Sequence, residues 1–305
     1  MANRIKEKYM AGKRYFDYPM LFLVIFLICF GLVMIYSTSS YKSTVTYGNS
    51  YHWLLRQAVA IVLGAVAMVV CCKLDYRIIK SEKFGNGCYW ASIVLLVLVL
   101  IIGAAKKGAV RWISIAGFQF QPSEVSKILV VIYLANRLSA NAHKIRTFKD
   151  SIVIVLPTVP IIALIVTQNL STALVVCSMI GVMLFVVSPK MKELMLTAGG
   201  GIILLFVYLL TANSYRNERV QIWLHPESHK KGFQTMQALY AIGSGGIFGK
   251  GLGQSMQKMG FIPESHNDMI FSIICEELGL FGAVCLILVF VALIFRMLLI
   301  ALNTE

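Results

Sequence analysis

Charged side chains are scarce in this 305-residue chain, where they make up only 14% of the residues. About a quarter of the residues of a soluble domain are charged, so the composition excludes an ordinary soluble fold. Apolar residues account for 58% of the chain, and the mean hydropathy is +0.76. A membrane barrel is disfavoured as well, because barrel strands alternate apolar and polar residues whereas the apolar runs here are continuous. The sequence predicts an all-α polytopic membrane protein.

The sequence motifs of several enzyme classes are also absent. The chain has no His-Glu-x-x-His, no Gly-x-Ser-x-Gly and no Walker phosphate-binding loop. Its seven cysteines form no Cys-x-x-Cys pair, so a zinc or disulfide framework is not expected and the thiols are interpreted as core residues. The net charge is +14, but the basic residues form no folded basic domain, so no nucleic-acid partner is expected.

Eight apolar runs are each long enough to cross a hydrocarbon core of about 30 Å as a helix. They cover residues 19–36, 53–72, 89–105, 123–138, 152–167, 171–188, 194–212 and 269–299. The predicted organisation has four parts. These are a cytoplasmic basic tail (1–18), transmembrane helices 1–7 (19–212), a large extracytoplasmic loop between helices 7 and 8 (213–268), and transmembrane helix 8 with a short cytoplasmic C-terminus (269–305).

The distribution of Lys and Arg sets the predicted orientation. Basic residues crowd the N-terminal tail and the loops after the second, fourth and sixth runs, which places the N-terminus in the cytoplasm. The first run is interpreted as a retained anchor, and the first outer loop is expected near residues 37–52. Basic residues on the predicted outer side suggest an anionic ligand, although long loops also cross membranes regardless of their charge. These residues are Lys106, Lys107, Arg111, Arg216, Arg219, Lys230, Lys231, Lys250 and Lys258.

The long outer loop contains a glycine-rich segment over residues 243–253. It resembles a phosphate-binding loop, but no strand precedes it and the Lys-Ser/Thr ending is missing. A compact turn packed at the membrane surface is the favoured interpretation. Contact between its backbone amides and an anion is the alternative.

Acidic residues are few, and one of them stands apart. The chain has four aspartates, and the predicted topology leaves only Asp268 on the outer side. Asp268 directly precedes the last apolar run, where a carboxylate can cap the first amides of a helix. A catalytic carboxylate is the other interpretation, and the two roles are compatible.

Charged residues also occur inside the apolar runs. Pro122 and Glu124 predict the start of a helix, and Glu124 and Lys127 lie three residues apart on one face of it. Charges within a membrane usually face a bundle interior or a wet cavity, and a structural ion pair is the alternative. Arg56, near the start of the second run, either lines such a cavity or extends to the outer interface.

Several segments in a fixed order resemble the SEDS family of shape, elongation, division and sporulation proteins. The segments are Gly108-Ala109-x-Arg111-Trp112-Ile113, Phe120-Gln121-Pro122-Ser123-Glu124, residues 241–253, Pro263-Glu264-x-His266-x-Asp268-x-Ile270-Phe271 and Glu276-Glu277-Leu278-Gly279. The resemblance spans nearly the whole chain and is closer to the FtsW and SpoVE division and sporulation branch. Two features depart from the family. The stretch 167–172 lacks the usual aspartate and glycine, and members usually have ten spans.

The resemblance implies a peptidoglycan glycosyltransferase at the outer face of the bacterial cytoplasmic membrane. Its substrate would be lipid II, the undecaprenyl-diphosphate-linked disaccharide pentapeptide. The implied partners are a class B penicillin-binding protein transpeptidase and other membrane proteins of the division complex. Carried over by position, the resemblance makes Asp268 catalytic, makes Trp112 important for activity, and places Arg56, Glu124 and Lys127 in a central cavity.

The expected chemistry follows from the donor. A glycosyl diphosphate already carries a good leaving group, so the reaction needs a base for the acceptor hydroxyl and cations for the departing diphosphate. We expect Asp268 to be the base. The predicted substrate-binding residues are Arg56, Arg111, Trp112, Glu124, Lys127, Arg219 and His266. No metal-ligand cluster is visible, and a divalent cation at the diphosphate is left open. The alternative function is a lipid-linked saccharide flippase or transporter, although the two halves show no convincing internal repeat.

Overall fold

The computed structural model describes residues 16–106, 109–115, 118–145, 148–187, 221–229 and 232–303. Most of these residues are helical, as expected for segments that must satisfy their backbone polar groups internally in lipid. The helices are α1 (Tyr18–Tyr47), α2 (His52–Lys73), α3 (Tyr76–Ile79), α4 (Glu82–Ile102), α5 (Pro122–Asn141), α6 (Phe148–Val155), α7 (Val159–Gln168), α8 (Leu170–Val187), α9 (Phe233–Ser244) and α10 (Ile270–Asn303). Short 3-10 turns cover Ala142–Lys144, Leu156–Thr158 and Pro226–Ser228.

The predicted all-α membrane fold is confirmed, because six helical segments among the described residues are long and apolar enough to cross a membrane. They are Tyr18–Tyr47, His52–Lys73, Glu82–Ile102, Lys149–Gln168, Leu170–Val187 and Ile270–Asn303. The predicted fourth run forms α5, which is more polar because it carries Glu124, Lys127 and Arg137. The predicted seventh run, residues 194–212, lies outside the described residues. The total of eight spans therefore stays a prediction.

The loop predicted as the first outer loop is shorter than expected, because α1 continues to Tyr47. The last turns of α1 are rich in hydroxyl side chains, which lower the hydropathy of residues 37–47. These hydroxyls bond within the helix: the Thr38 hydroxyl donates to the Met34 carbonyl at 2.8 Å, and the Thr44 hydroxyl donates to the Ser40 carbonyl at 2.9 Å. Such bonds give the hydroxyl groups an acceptor within the helix, so polar side chains can continue an apolar helix without unpaired donors. Gly48, with φ +67°, ends the helix.

A small antiparallel sheet in the order β1-β2-β3 follows α4. Its strands are Ala104–Lys106, Ala109–Ile115 and Phe118–Phe120. In the register, Trp112 pairs with Ala104 and Ile113 pairs with Phe120. Strand residues alternate between the two faces of a sheet, and Ile113 is buried. The sequence does not predict these strands.

The described residues between 72 and 212 form one compact unit with an apolar core. The buried cluster comprises Leu96, Val130, Leu134, Leu138, Ile145, Ile154, Ile161, Ile165, Ala173, Val176 and Ile180. Asn169, at a position where the resemblance to the SEDS family implies an aspartate, accepts a hydrogen bond from the Ser171 amide at 3.1 Å between α7 and α8. The local role of that side chain is therefore to cap a helix.

The second compact unit comprises the described residues within 1–71 and 213–305. It contains α1, α2, α9 and α10. Part of the predicted long loop is helical, since it contains α9. This helix buries Ala238 and Ala241, and Ala241 packs against Ile262 and Ile273. At the N-terminal end of α1, the Asp17 carboxylate accepts a hydrogen bond from the Met20 amide at 2.8 Å and pairs with Arg296 of α10.

Candidate active site

The helix that follows Asp268 is interrupted close to its start. Gly279 of α10 has φ +68° and ψ −171°, which are not helical values. In a regular helix each amide donates to the carbonyl four residues earlier. Here the amides of Leu280 and Phe281 donate instead to the carbonyls of Gly246 and Ile247, at 2.9 and 3.0 Å. The glycine-rich segment therefore supplies the hydrogen-bond partners that the broken helix lacks.

The exchange of hydrogen bonds is reciprocal. The amide of Lys250 donates to the Glu276 carbonyl at 2.9 Å, and the amide of Gly251 donates to the Glu277 carbonyl at 3.0 Å. These two amides are already engaged, so they do not form the anion nest considered from the sequence. The favoured interpretation, a compact turn, agrees with the structure, and the surface on which the turn packs is the break in α10.

Glycine is required where the two backbones meet. A Cβ atom on Gly249 would lie 2.2 Å from the Glu277 carbonyl oxygen, and one on Gly279 would lie 2.4 Å from the Ile247 carbonyl oxygen. Both residues also have positive φ, of 78° and 68°, a region that side chains with a Cβ disfavour. The steric limit explains the need for glycine at positions 249 and 279 without a bound phosphate.

Two buried glutamates lie on the α10 side of this junction. The side chains of Glu276 and Glu277 are fully buried. Lys250 Nζ lies 2.7 Å from Glu276 Oε1, and the Ser255 hydroxyl and the Met256 amide also donate to this carboxylate. A buried carboxylate needs such partners because the charge has been removed from water.

Glu277 is bound by a different set of partners. Lys258 Nζ donates to Glu277 Oε1 at 2.7 Å, and the Ser37 hydroxyl of α1 lies 2.7 Å from both carboxylate oxygens. Lys258 Nζ also lies 3.1 Å from the Ser37 hydroxyl. Lys250 and Lys258 are two of the basic residues on the predicted outer side that suggest an anionic ligand from the sequence. This interpretation needs correction for both, because each ammonium group is paired with a buried glutamate.

Asp268 lies in the turn that precedes α10 and is exposed. Within the described part of the chain its carboxylate has no hydrogen-bond or ion-pair partner, and the first amide of α10, on Ile270, donates to the Asn267 carbonyl at 3.3 Å. The capping bond considered from the sequence is therefore not formed. The backbone nearby is held by the Ser265 hydroxyl, which donates to the Thr38 carbonyl at 3.3 Å. Glu264 has a positive φ of 55°, an uncommon conformation for a residue with a side chain.

His266 precedes Asp268 by two positions in the sequence, and its side chain is buried. Its ring lies 4.7 Å from the Trp53 ring, and neither ring nitrogen has a hydrogen-bond partner among the described residues. Its Nε2 atom lies 3.9 Å from a Glu264 oxygen. Burial, with a smaller contribution from the Lys42 charge, lowers the pKa of His266 below its ordinary value, and Glu264 opposes the shift. The imidazole is therefore neutral at neutral pH.

Arg56 approaches the same aromatic ring. Its guanidinium carbon lies 5.7 Å from the centroid of the Trp53 ring, within the range of a cation–π interaction. The side chain is exposed. Of the residues predicted from the sequence, Arg56 and His266 thus meet on Trp53, a residue that the sequence reasoning did not select.

Four other predicted residues belong to the unit of residues 72–212. Glu124 and Lys127 form an ion pair of 2.7 Å at the start of α5, so the structural pair considered from the sequence is present. Pro122 occupies the first turn of α5, as predicted. Arg111 and Trp112 lie on strand β2, and Trp112 is half-buried. The remaining predicted residue, Arg219, lies outside the described residues.

The sequence reasoning missed the partners of the two glutamates. Ser37 and Glu277 are 240 positions apart, and Lys258 and Glu277 are 19 apart, so no local spacing indicates these contacts. The available signal was a pair of acidic residues inside an apolar run, which requires buried cations or donors. Among the described residues, no group of three or more His, Cys, Asp or Glu side chains is arranged to hold a metal ion.

Comparison with known proteins agrees with this arrangement of membrane helices. A family model described as cell cycle protein, covering FtsW, RodA and SpoVE, matches residues 18–305. The chain therefore belongs to the FtsW/RodA/SpoVE family of polytopic membrane proteins.

Individual relatives span most of the chain. The probable peptidoglycan glycosyltransferase FtsW of Geobacter metallireducens is 35% identical over 300 residues, which cover 95% of this chain and 78% of the relative. The protein of the same description from Methylococcus capsulatus is 36% identical over 306 residues, covering 97% and 75%.

Two solved structures are similar over nearly the whole chain. One is from work on how a peptidoglycan synthase complex coordinates polymerization and crosslinking. It is 28% identical with a TM-score of 0.75, covering 96% of this chain and 80% of that one. The other is the rod shape determining protein RodA of Thermus thermophilus, 26% identical with a TM-score of 0.64, covering 95% and 76%.

Proposed function

We propose that this chain is an inverting peptidoglycan glycosyltransferase that polymerises lipid II into β-1,4 glycan strands at the outer face of the bacterial cytoplasmic membrane. The relatives from Geobacter and Methylococcus carry the name peptidoglycan glycosyltransferase. The observation that carries the chemistry is the Asp268 carboxylate, which is exposed and lies where a turn meets a membrane helix.

In the proposed reaction Asp268 acts as a general base. It takes the proton of the acceptor sugar's 4-hydroxyl while that oxygen attacks the anomeric carbon of the donor. The bond between the anomeric carbon and the diphosphate oxygen breaks with inversion, and polyprenyl diphosphate leaves with the bonding electron pair. A carboxylate without a protein partner suits this role, because no hydrogen bond must be broken before the proton is transferred.

Cationic side chains would bind the diphosphate. Arg56 is the candidate in the unit that contains Asp268, because its guanidinium is exposed. Arg111, Lys127 and Arg219 keep this role as predictions. Trp112 would contact a sugar with the face of its indole ring, and Glu124 would hold Lys127 in place through their ion pair.

His266 would bind substrate as a neutral imidazole. The packing of its ring on Trp53 fixes its orientation. Both ring nitrogens are buried and have no hydrogen-bond partner among the described residues, so they would offer one donor and one acceptor to a sugar hydroxyl once the neighbouring side chains move aside.

The remaining proposals concern topology and partners. The N-terminus would lie in the cytoplasm and residues 213–268 outside it, as the Lys and Arg distribution predicts. A class B penicillin-binding protein would crosslink the new strands, in division or sporulation. The similarity to a chain from a peptidoglycan synthase complex supports such a partnership.

Polymerisation in detergent tests this function, because detergent removes the bilayer that a flippase needs. Purified protein with its partner would receive labelled lipid II, and the products would be sized on a gel. We expect polymer from the wild type and an almost complete loss in Asp268→Asn. The matched control is Asp75→Asn, an exposed aspartate whose carboxylate accepts a hydrogen bond from the Arg77 amide at 3.0 Å.

The alternative outcomes are distinct. Movement of lipid II across vesicle membranes without polymer in either assay would favour the flippase. Full activity of Asp268→Asn would rule out Asp268 as the base.

A further inference from the structure

Three side chains from three segments of one unit meet in a buried polar cluster, which we call the clamp. It consists of Ser37 of α1, Lys258 of the segment before Asp268, and Glu277 of α10. The exposed fraction is 5% for Ser37, 5% for Lys258 and 0% for Glu277. All three mutual contacts lie between 2.7 and 3.1 Å.

Stability alone does not account for the clamp. Removal of two charges from water is costly, and a buried ion pair can often be replaced by apolar residues of similar volume with no loss of stability. An ion pair with good geometry does, however, fix the relative positions of the side chains that form it. The Lys258 ammonium can satisfy both Ser37 and Glu277 only in one position, so the clamp fixes this residue relative to α1 and α10.

The chain between Lys258 and Asp268 has little freedom to move independently. The Ile262 amide donates to the Gln257 carbonyl at 3.0 Å, and the Ile262 side chain is buried against Ala241 and Ile273. Further along, the Ser265 hydroxyl donates to the Thr38 carbonyl, next to Ser37 in α1. A displacement of Lys258 would therefore be transmitted towards Asp268.

Another ion pair joins the same two segments but differs in burial. Lys42 Nζ lies 3.6 Å from Glu264 Oε1, and the side chains are 42% and 47% exposed. Exposed pairs of this kind contribute little. The clamp is therefore the stronger link between α1 and the segment that carries Asp268.

We propose that Ser37, Lys258 and Glu277 are positioning residues that hold Asp268 in its reactive location. This inference rests on the proposed function of Asp268 as the base. Misplacement of a catalytic group by about 1 Å can reduce a rate by about 100-fold. Loss of the clamp should therefore lower the turnover rate and leave the lipid II concentration at half-maximal rate nearly unchanged.

The first test removes both charges together, in Lys258→Met with Glu277→Met. This exchange avoids an isolated buried charge, so the melting temperature should stay close to that of the wild type. We expect turnover to fall by about tenfold or more. Lys42→Met is the matched control, and its turnover should equal that of the wild type. A folded double variant with wild-type turnover would overturn the proposal.

Ser37→Ala provides a second test that does not depend on the folding of the double variant. It leaves the pair between Lys258 and Glu277 intact and removes only the link to α1. We expect turnover to fall several-fold in protein that still folds, with a modestly lowered melting temperature because the buried Glu277 carboxylate loses one donor, and unchanged turnover would again contradict the proposal.

Ser37→Ala in an Asp268→Asn background tests whether Ser37 acts through Asp268 or independently of it. Residues that act through one group are not additive, so Ser37→Ala should not reduce the residual rate of Asp268→Asn further. An equal fold-reduction in both backgrounds would contradict positioning. If Asp268→Asn is itself fully active, the assignment of the base fails. If Asp268→Asn is inactive but both clamp variants turn over like the wild type, only the positioning role fails.

Discussion

The described residues between 72 and 212 and the unit built from α1, α2, α9 and α10 differ in what fills their interiors. The first packs leucine, isoleucine and valine from several helices into one cluster. The second also has small apolar clusters, but beside the break in α10 it buries two glutamates. Apolar packing is not directional, and it tolerates exchanges of similar volume. Charged hydrogen bonds have a fixed length and direction. The unit that carries Asp268 is therefore the one whose geometry is more narrowly specified.

The largest effect is expected from a methyl group added at the junction of the glycine-rich segment with α10. Gly249→Ala would place its Cβ 2.2 Å from the Glu277 carbonyl oxygen, and backbone atoms cannot move aside locally. We expect almost no folded protein in gel filtration after detergent extraction. Gly253→Ala is the control, because Gly253 has a similar φ of 83° and no atom within 4 Å of its added Cβ. It should cost only about 1–2 kcal/mol. Equal behaviour of the two variants would refute the steric account.

The apolar unit should respond more moderately. Leu134 is fully buried in the cluster of residues 72–212, and Leu134→Ala should reduce the free energy of unfolding by about 2–5 kcal/mol. Thermal unfolding in detergent measures this change. Ile128→Ala on the same helix is the matched control, because Ile128 is 63% exposed, and it should unfold near the wild-type temperature. A comparable loss in both variants would mean that the cluster does not carry the stability of this unit.

Acidification should destabilise the unit that contains His266. Burial holds the pKa of His266 in the folded protein below the ordinary value of 6.5. At a pH between the folded and the unfolded pKa of His266, the unfolded chain therefore binds more protons than the folded one. Stability is therefore complete above about pH 6.5 and decreases as the pH falls towards the folded pKa. The melting temperature of the wild type should fall in this range. His266→Phe, which keeps a ring beside Trp53, should show a smaller fall, and an identical pH profile would contradict this assignment.

The smallest change in stability is expected at Lys127. Its pair with Glu124 is partly exposed, at 21% and 53% of the side chains, so Lys127→Met should alter the free energy of unfolding by less than about 1 kcal/mol. Turnover should nevertheless fall by about tenfold, because a cation proposed to bind the diphosphate is lost. Normal turnover would restrict the role of Lys127 to its ion pair.

The sequence predicted features that depend on local composition. The apolar runs indicated six helices that the described structure contains, and Pro122 indicated where α5 begins. Hydropathy failed where hydroxyl side chains extend a helix, as in the last turns of α1, because it does not register bonds between these hydroxyls and the preceding turn.

In the site, too, the sequence predicted local features but not contacts between residues far apart in the chain. Asp268 stood out because so few aspartates are available, and its position before the last membrane helix was predicted correctly. The pairing of Lys258 with Ser37 and Glu277 could not be predicted, because it joins segments far apart in sequence. Lys250 and Lys258 were interpreted through their charge alone, whereas their buried glutamate partners define what these lysines do.

The central claim is that Asp268 is the base of a glycosyl transfer reaction, and the turnover rate of Asp268→Asn tests it most directly. Wild-type and variant protein of matched melting temperature would be compared with saturating lipid II in detergent. General base catalysis contributes about 100-fold to 10,000-fold, so we predict a decrease of at least about 100-fold in glycan formation for the variant. A variant that polymerises lipid II at the wild-type rate would contradict the account.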